Sequence, residues 1–214
     1  MNKIFNLVLL LTVSLTISTF AQEGEGAFRL ANATGLDGRL KFFINGYEIS
    51  SEGYESGQTT GNLDIPSGML DIKVQHPLCE DSQMQLNLVG GQQIAIIAYV
   101  EPLKDKQTGE VKKRVIKFGK LESKPRSDKR SAALLFLSVS NQVEVMMNGA
   151  SVVLTPHKQV DVAFGDSRST GVSIEVGKRL IGGLDLENPG DYAVIVFDKA
   201  DGTQGCITFY NTKH

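Results

Sequence analysis

Tryptophan is absent from this chain, and its 214 residues include only two cysteines and three histidines. Those few ligands do not make a structural zinc site. His76 and Cys79 stand three apart, but no second pair supports them, and such sites want four ligands at set spacings. Net charge is also small, 22 Lys and Arg against 24 Asp and Glu, so nothing overall calls for nucleic acid. No basic groove interleaved with aromatics points that way either. Beyond residue 20 no segment is apolar enough to cross a bilayer as a helix, which takes about 20 residues. Long helical patterns are missing too. No Gly-x-Ser-x-Gly elbow offers a serine nucleophile, and no phosphate-cradling glycine loop precedes a helix. Neighbouring acids such as Glu80 and Asp81, or Asp185 and Glu187, read as a solvated face. No catalytic residue, metal or cofactor is expected, and the chain is read as not an enzyme.

The N-terminus does carry a signal. Lys3 precedes a mostly apolar run from Ile4 to Ile17, and Thr19 and Ala21 place small residues at −3 and −1 of a cut. That is the layout of a cleavable secretory leader over residues 1–21. A membrane anchor is the alternative, but the run is short for a span and Glu23 and Glu25, not basic residues, follow it. The expected location is a bacterial periplasm or, alternatively, the extracellular space, with no stable membrane insertion after cleavage.

What remains is rich in short apolar–polar alternations set between Gly, Asn, Asp and Ser clusters, the pattern of a β-sandwich or barrel. The pattern occurs twice. Leu40 to Ile44 runs into Asn45-Gly46, and Val143 to Met147 runs into Asn148-Gly149. Asn-Gly supplies the positive backbone angles of a two-residue hairpin. Leu70, Ile72 and Val74 alternate with polar residues, as do Val172, Ile174 and Val176. Ile94 to Val100 then matches Tyr192 to Phe197, while Phe28 to Ala33 matches Leu134 to Val139. Gly90-Gly91 and Gly182-Gly183 read as turns or bulges. About seven strands per copy are expected, each with one dry and one wet face. The expected fold is all-β: two tandem Ig-like antiparallel β-sandwich domains arising from an internal duplication. One larger interleaved sandwich is the rival. The expected boundaries are a leader at 1–21, a first domain at 22–118, a basic linker at 119–130 and a second domain at 131–214.

Charge is uneven along the chain. Residues 101–130 hold eleven Lys or Arg against five Asp or Glu, whereas residues 22–100 hold four against ten. Lys112, Lys113, Arg114 and Lys117 concentrate the excess on one predicted strand. Such a strand either guards an exposed sheet edge or meets an anionic partner, such as an acidic polysaccharide, lipid headgroups or an acidic protein face. Cys79 and Cys206 fall one to each half, so a bond between them would tie the halves together; free buried thiols, or a bond to another chain, are the other readings. His157 follows Pro156 in a predicted loop, and His214 ends the chain.

Phe28-Arg29-Leu30-Ala31-Asn32-Ala33-Thr34, the Asn-Gly hairpin, and Pro66-Ser67-Gly68 leading into an alternating strand together resemble the AlgF family of alginate biosynthesis proteins. They also resemble the extracytoplasmic β-sandwich domains grouped as DUF4397. The second copy departs from the motif, with Gly165 to Gly171 where Pro-Ser-Gly would stand. The resemblance implies a non-catalytic periplasmic accessory or adaptor in exopolysaccharide O-acetylation or export. Its partners would be envelope proteins of an acetylation complex or an acidic polysaccharide. An extracellular structural, adhesion or carbohydrate-binding module is the alternative.

Overall fold

The computed structural model describes residues 26–123, 130–139, 142–164, 171–186 and 190–211. The expected leader lies outside them. Every regular element among the described residues is a strand. The first half contributes β1 (Gly26–Ala33), β2 (Arg39–Ile44), β3 (Tyr47–Glu48), β4 (Tyr54–Glu55), β5 (Leu63–Ile65), β6 (Gly68–Gln75), β7 (Ser82–Leu88), β8 (Gln93–Lys104) and β9 (Val111–Ser123). The second contributes β10 (Arg130–Leu137), β11 (Val143–Met147), β12 (Ala150–Leu154), β13 (Gln159–Phe164), β14 (Gly171–Val176), β15 (Arg179–Asp185), β16 (Asp191–Asp198) and β17 (Gln204–Asn211). The count exceeds seven per half because short pieces such as β3, β4 and β5 form separate pairings.

The Asn-Gly turns set the first registers. Asn45 and Gly46 have φ of 50° and 83°, and Asn148 and Gly149 have φ of 49° and 81°. Positive φ at both central residues is the turn whose twist suits a hairpin. Each asparagine does a second job. The Asn45 side-chain oxygen accepts from the Asp71 amide at 2.9 Å, and that of Asn148 from the Ser173 amide at 3.0 Å. Each turn is thereby fastened to the next strand of its sheet.

Four sheets result, and three apolar layers separate them. The outer sheets have strand orders β3-β2-β6-β7, with β4 also on β2, and β12-β11-β14-β15. The inner sheets are β5-β1-β8-β9 and β13-β10-β16-β17. One core layer packs Phe42, Ile72 and Leu88 of the first outer sheet against Phe28, Leu30 and Ile96. Its counterpart in the second half packs Val145, Ile174 and Leu184 against Leu134, Phe136 and Val194. The middle layer joins the halves. Ala31, Ala95, Ile97 and Leu121 meet Leu135, Leu137, Ile195 and Phe209 there. Successive residues along an inner strand therefore face different cores, as Ile96 and Ile97 do.

This corrects the expectation of one wet face per strand. It holds for β6, where Leu70, Ile72 and Val74 are buried and Asp71 is exposed. It fails for β8, β10 and β16, which are buried on both faces. The physical reason is their composition. Ala132 to Leu137 and Tyr192 to Phe197 contain no polar face to present to water. The inner sheets also depart from the antiparallel expectation, since β1 pairs parallel to β8 and β10 parallel to β16.

The expected linker shrinks. Gly119 to Ser123 continue β9, paired with Ile97 to Gln93, and Arg130 already opens β10. Lys120 and Glu122 alternate with Leu121, which is buried in the middle core, so strand periodicity runs through the basic stretch. Residues 124–129 lie outside the described residues. The first strand of the second half lies earlier than the Leu134 to Val139 expected for it. β10 ends at Leu137, and Val139 is exposed.

Candidate functional site

β9 forms one edge of its inner sheet and bonds along one side to β8, from Ser123 opposite Gln93 to Val111 opposite Lys104. Its N-terminal half carries the cations singled out in the sequence. Lys112, Lys113, Arg114 and Lys117 are all exposed, whereas Ile116 between them is fully buried and anchors the strand. The outer rim of the strand is capped near its far end by Gln159, whose side chain accepts from the Glu122 amide at 3.3 Å and donates to the Glu122 carbonyl at 3.2 Å, and once beside the cations. The Glu80 amide donates to the Arg114 carbonyl at 3.3 Å, where the turn after β6 comes alongside.

The charge is partly answered from within. Lys112 Nζ lies 2.5 Å from Asp105 Oδ2, and Lys113 Nζ lies 2.9 Å from the Glu80 carboxylate. The Lys112 contact, followed by the Thr108 and Gln107 amides, holds the Asp105 carboxyl below the usual carboxylate range. Arg114 and Lys117 make no ion pair among the described residues. An open trough of about 390 Å³ runs between the basic strand and the turn at Pro77, Leu78 and Cys79. What the strand offers an incoming group is thus two unpaired cations, two exchangeable ion pairs and a row of edge backbone groups.

The cysteines do not meet. Cys79 packs against the first core layer and Cys206 against the third, with both inner sheets between them, and both are free thiols. Of the readings the sequence leaves open, the structure has the free thiols and not the candidate Cys79–Cys206 bond, and the halves are joined by apolar packing. Burial pushes the Cys206 thiol up to about 12. Burial also raises Cys79, against the opposing charge of Arg114. Neither is poised as a thiolate nucleophile at neutral pH.

His76 is buried in the turn. Its Nδ1 accepts from the Leu78 amide at 3.2 Å, and its Nε2 finds no protein partner among the described residues. His157 is exposed, with φ of 61° and its ring 5.3 Å from that of Tyr99. His214 lies outside the described residues. Among the described residues no three His, Cys, Asp or Glu side chains converge as a metal set would. No described helix is long and apolar enough to cross a membrane.

Several structurally decisive residues carry no sequence signal of their own. Ser131 donates to Asp191 at 2.5 Å, and Ser138 donates to Asp198, stitching β10 to β16 at both ends. Arg29 places its guanidinium 4.5 Å from the Phe209 ring centre across the middle interface, while Nη2 donates to Asn62 at 2.7 Å. Asn32, part of the motif that carried the resemblance, is fully buried. Its Oδ1 accepts from the Thr34 amide and hydroxyl, and its Nδ2 donates to the Tyr54 carbonyl at 2.8 Å. Its part is to tie the end of β1 to the following loop. No protein-family model matches the chain, and no curated protein matches it.

Proposed function

We propose that the chain is an exported, non-catalytic accessory protein of the bacterial envelope that engages an acidic polysaccharide, or the proteins handling one, through the β9 edge. The observation carrying this reading is the placement of Lys112, Lys113, Arg114 and Lys117 on the exposed half of an edge strand. A polyanion tracking such a strand meets unpaired Arg114 and Lys117 first. It can then displace Asp105 and Glu80 from lysines whose ion pairs are solvent-exposed and individually weak. The likeness to the AlgF family supports the same role, in O-acetylation or export of an exopolysaccharide.

The finer fold reading belongs with it: two Ig-like sandwiches arising from duplication. Support comes from the strand orders, since β5-β1-β8-β9 and β13-β10-β16-β17 are connected alike, as are β3-β2-β6-β7 and β12-β11-β14-β15. Matching turn asparagines add to it.

A second reading, a carbohydrate-binding module, is favoured by the outer face of the first sheet. Phe43 stands there beside Lys73, Gln83 and Gln85 in an open depression. Titration with a polyuronate at rising salt tests the main reading. Binding through β9 weakens steeply as salt rises and is lost when Lys112, Lys113, Arg114 and Lys117 are all changed to Ala. Binding that survives those changes removes β9 from the account, and loss on Phe43→Ala instead favours the module.

A further inference from the structure

The middle interface is closed at one end and open at the other. At the closed end Ser131, Asp191 and Glu122 leave a void of only about 20 Å³. At the open end, around the C-terminal ends of β1, β10 and β16 and along the last residues of β8, the two inner sheets part around a cleft of about 360 Å³. That volume lies in the range of small-ligand sites, which favour domain interfaces and combine apolar walls with a few convergent polar groups. Leu36, Val100 and Leu137 supply apolar wall. Arg114, Lys104 and Lys199 supply three cations against one carboxylate, Asp198. That carboxylate already accepts from the Ser138 hydroxyl and, at 3.3 Å, from Nε2 of the Gln204 side chain. None of the three cations forms an ion pair among the described residues. The cleft is therefore positive, partly apolar and walled by both halves.

We propose that this cleft binds a small organic carboxylate, its apolar body against Leu36, Val100 and Leu137 and its carboxylate toward Arg114 and Lys199. A guanidinium presents a planar fork matched to a carboxylate, which selects this class over a neutral molecule of the same shape. The site goes beyond the polymer-binding role: Lys199 lies far along the chain from the basic strand, and Lys112 and Lys113 do not line the cleft.

The test is an amide NMR titration of the full chain with benzoate and, as the neutral match, benzamide. Benzoate is expected to give saturable shifts at Thr34, Ser138 and Gln204, and benzamide to bind about tenfold more weakly, the usual worth of a charged hydrogen bond. Lys199→Gln and Arg114→Gln are each expected to weaken benzoate by about tenfold on the same basis, and Lys112→Gln to leave it unchanged. Equal binding of benzoate and benzamide, shifts confined to residues outside the cleft, or wild-type affinity in Lys199→Gln would overturn the proposal. Because Lys199 is not part of the β9 cluster, its variant also separates the two readings. Polymer binding that persists while benzoate binding falls assigns the cleft a role of its own, and benzoate binding that persists while polymer binding falls refutes it.

Discussion

The Gly35 carbonyl accepts a hydrogen bond from the Ala200 amide at 2.9 Å, joining the loop after β1 to the hairpin between β16 and β17. The approach is close enough that a Cβ on Gly35 would stand 2.3 Å from the Asp198 carbonyl oxygen. Gly35 also holds φ at +66°, where a side chain is strained. Gly35→Ala thus meets two costs, left-handed backbone and overpacking, and is expected to lose about 2–4 kcal/mol of stability in urea unfolding. Gly149→Ala is the control. Its φ is +81° with nothing within 4 Å, so only the backbone cost of about 1–2 kcal/mol applies. Equal losses in the two variants would contradict the close contact.

Arg29 and Phe209 come from opposite halves, and the guanidinium lies over the ring. A double-mutant cycle with Arg29→Met and Phe209→Leu is expected to give a coupling of about 0.5–2 kcal/mol. Additive effects would show that the two residues do not interact across the interface.

His76 gives stability a dependence on pH. Burial lowers its pKa from the ordinary 6.5, so the folded protein keeps the ring neutral while the unfolded chain takes up a proton. Stability is full above pH 6.5 and falls as pH drops toward the lowered folded value, with a slope of at most about 1.4 kcal/mol per pH unit for one proton. His76→Asn is expected to flatten that part of the profile. A profile unchanged in the variant would mean that His76 does not set it.

Both thiols are free, so intact mass without reductant is expected to correspond to the reduced monomer. Under native conditions Cys206 should resist iodoacetamide, because burial keeps its thiol protonated, and both cysteines should alkylate once the chain is unfolded. A mass lower by two hydrogen atoms would restore the disulfide.

Much of this architecture was legible residue by residue. Asn45-Gly46 and Asn148-Gly149 announce their turns through backbone chemistry, and Leu70, Ile72 and Val74 announce a half-buried strand through spacing. The inner sheets were harder. The unbroken apolar runs of β10 and β16 do signal burial on both faces, but not which surface covers the second face. The parallel pairing of β1 with β8 joins strands far apart in sequence, where no turn fixes the register. The linker boundary misled because Lys120 and Glu122 weigh more in composition than the single buried Leu121 between them. The positions of Arg114 and Lys199 on one cleft depend on how the halves meet, which no local pattern encodes.

The middle core of Ala31, Ile97, Leu135 and Ile195 makes the two halves a single packed stack, and both the β9 edge and the open cleft depend on it. Urea unfolding followed by hydrogen exchange at amides of both halves tests this directly. The expected result is one midpoint shared by β6 and β14, with Ile195→Ala lowering both together by about 2–5 kcal/mol. Two separate midpoints, with Ile195→Ala moving only the second half, would contradict it.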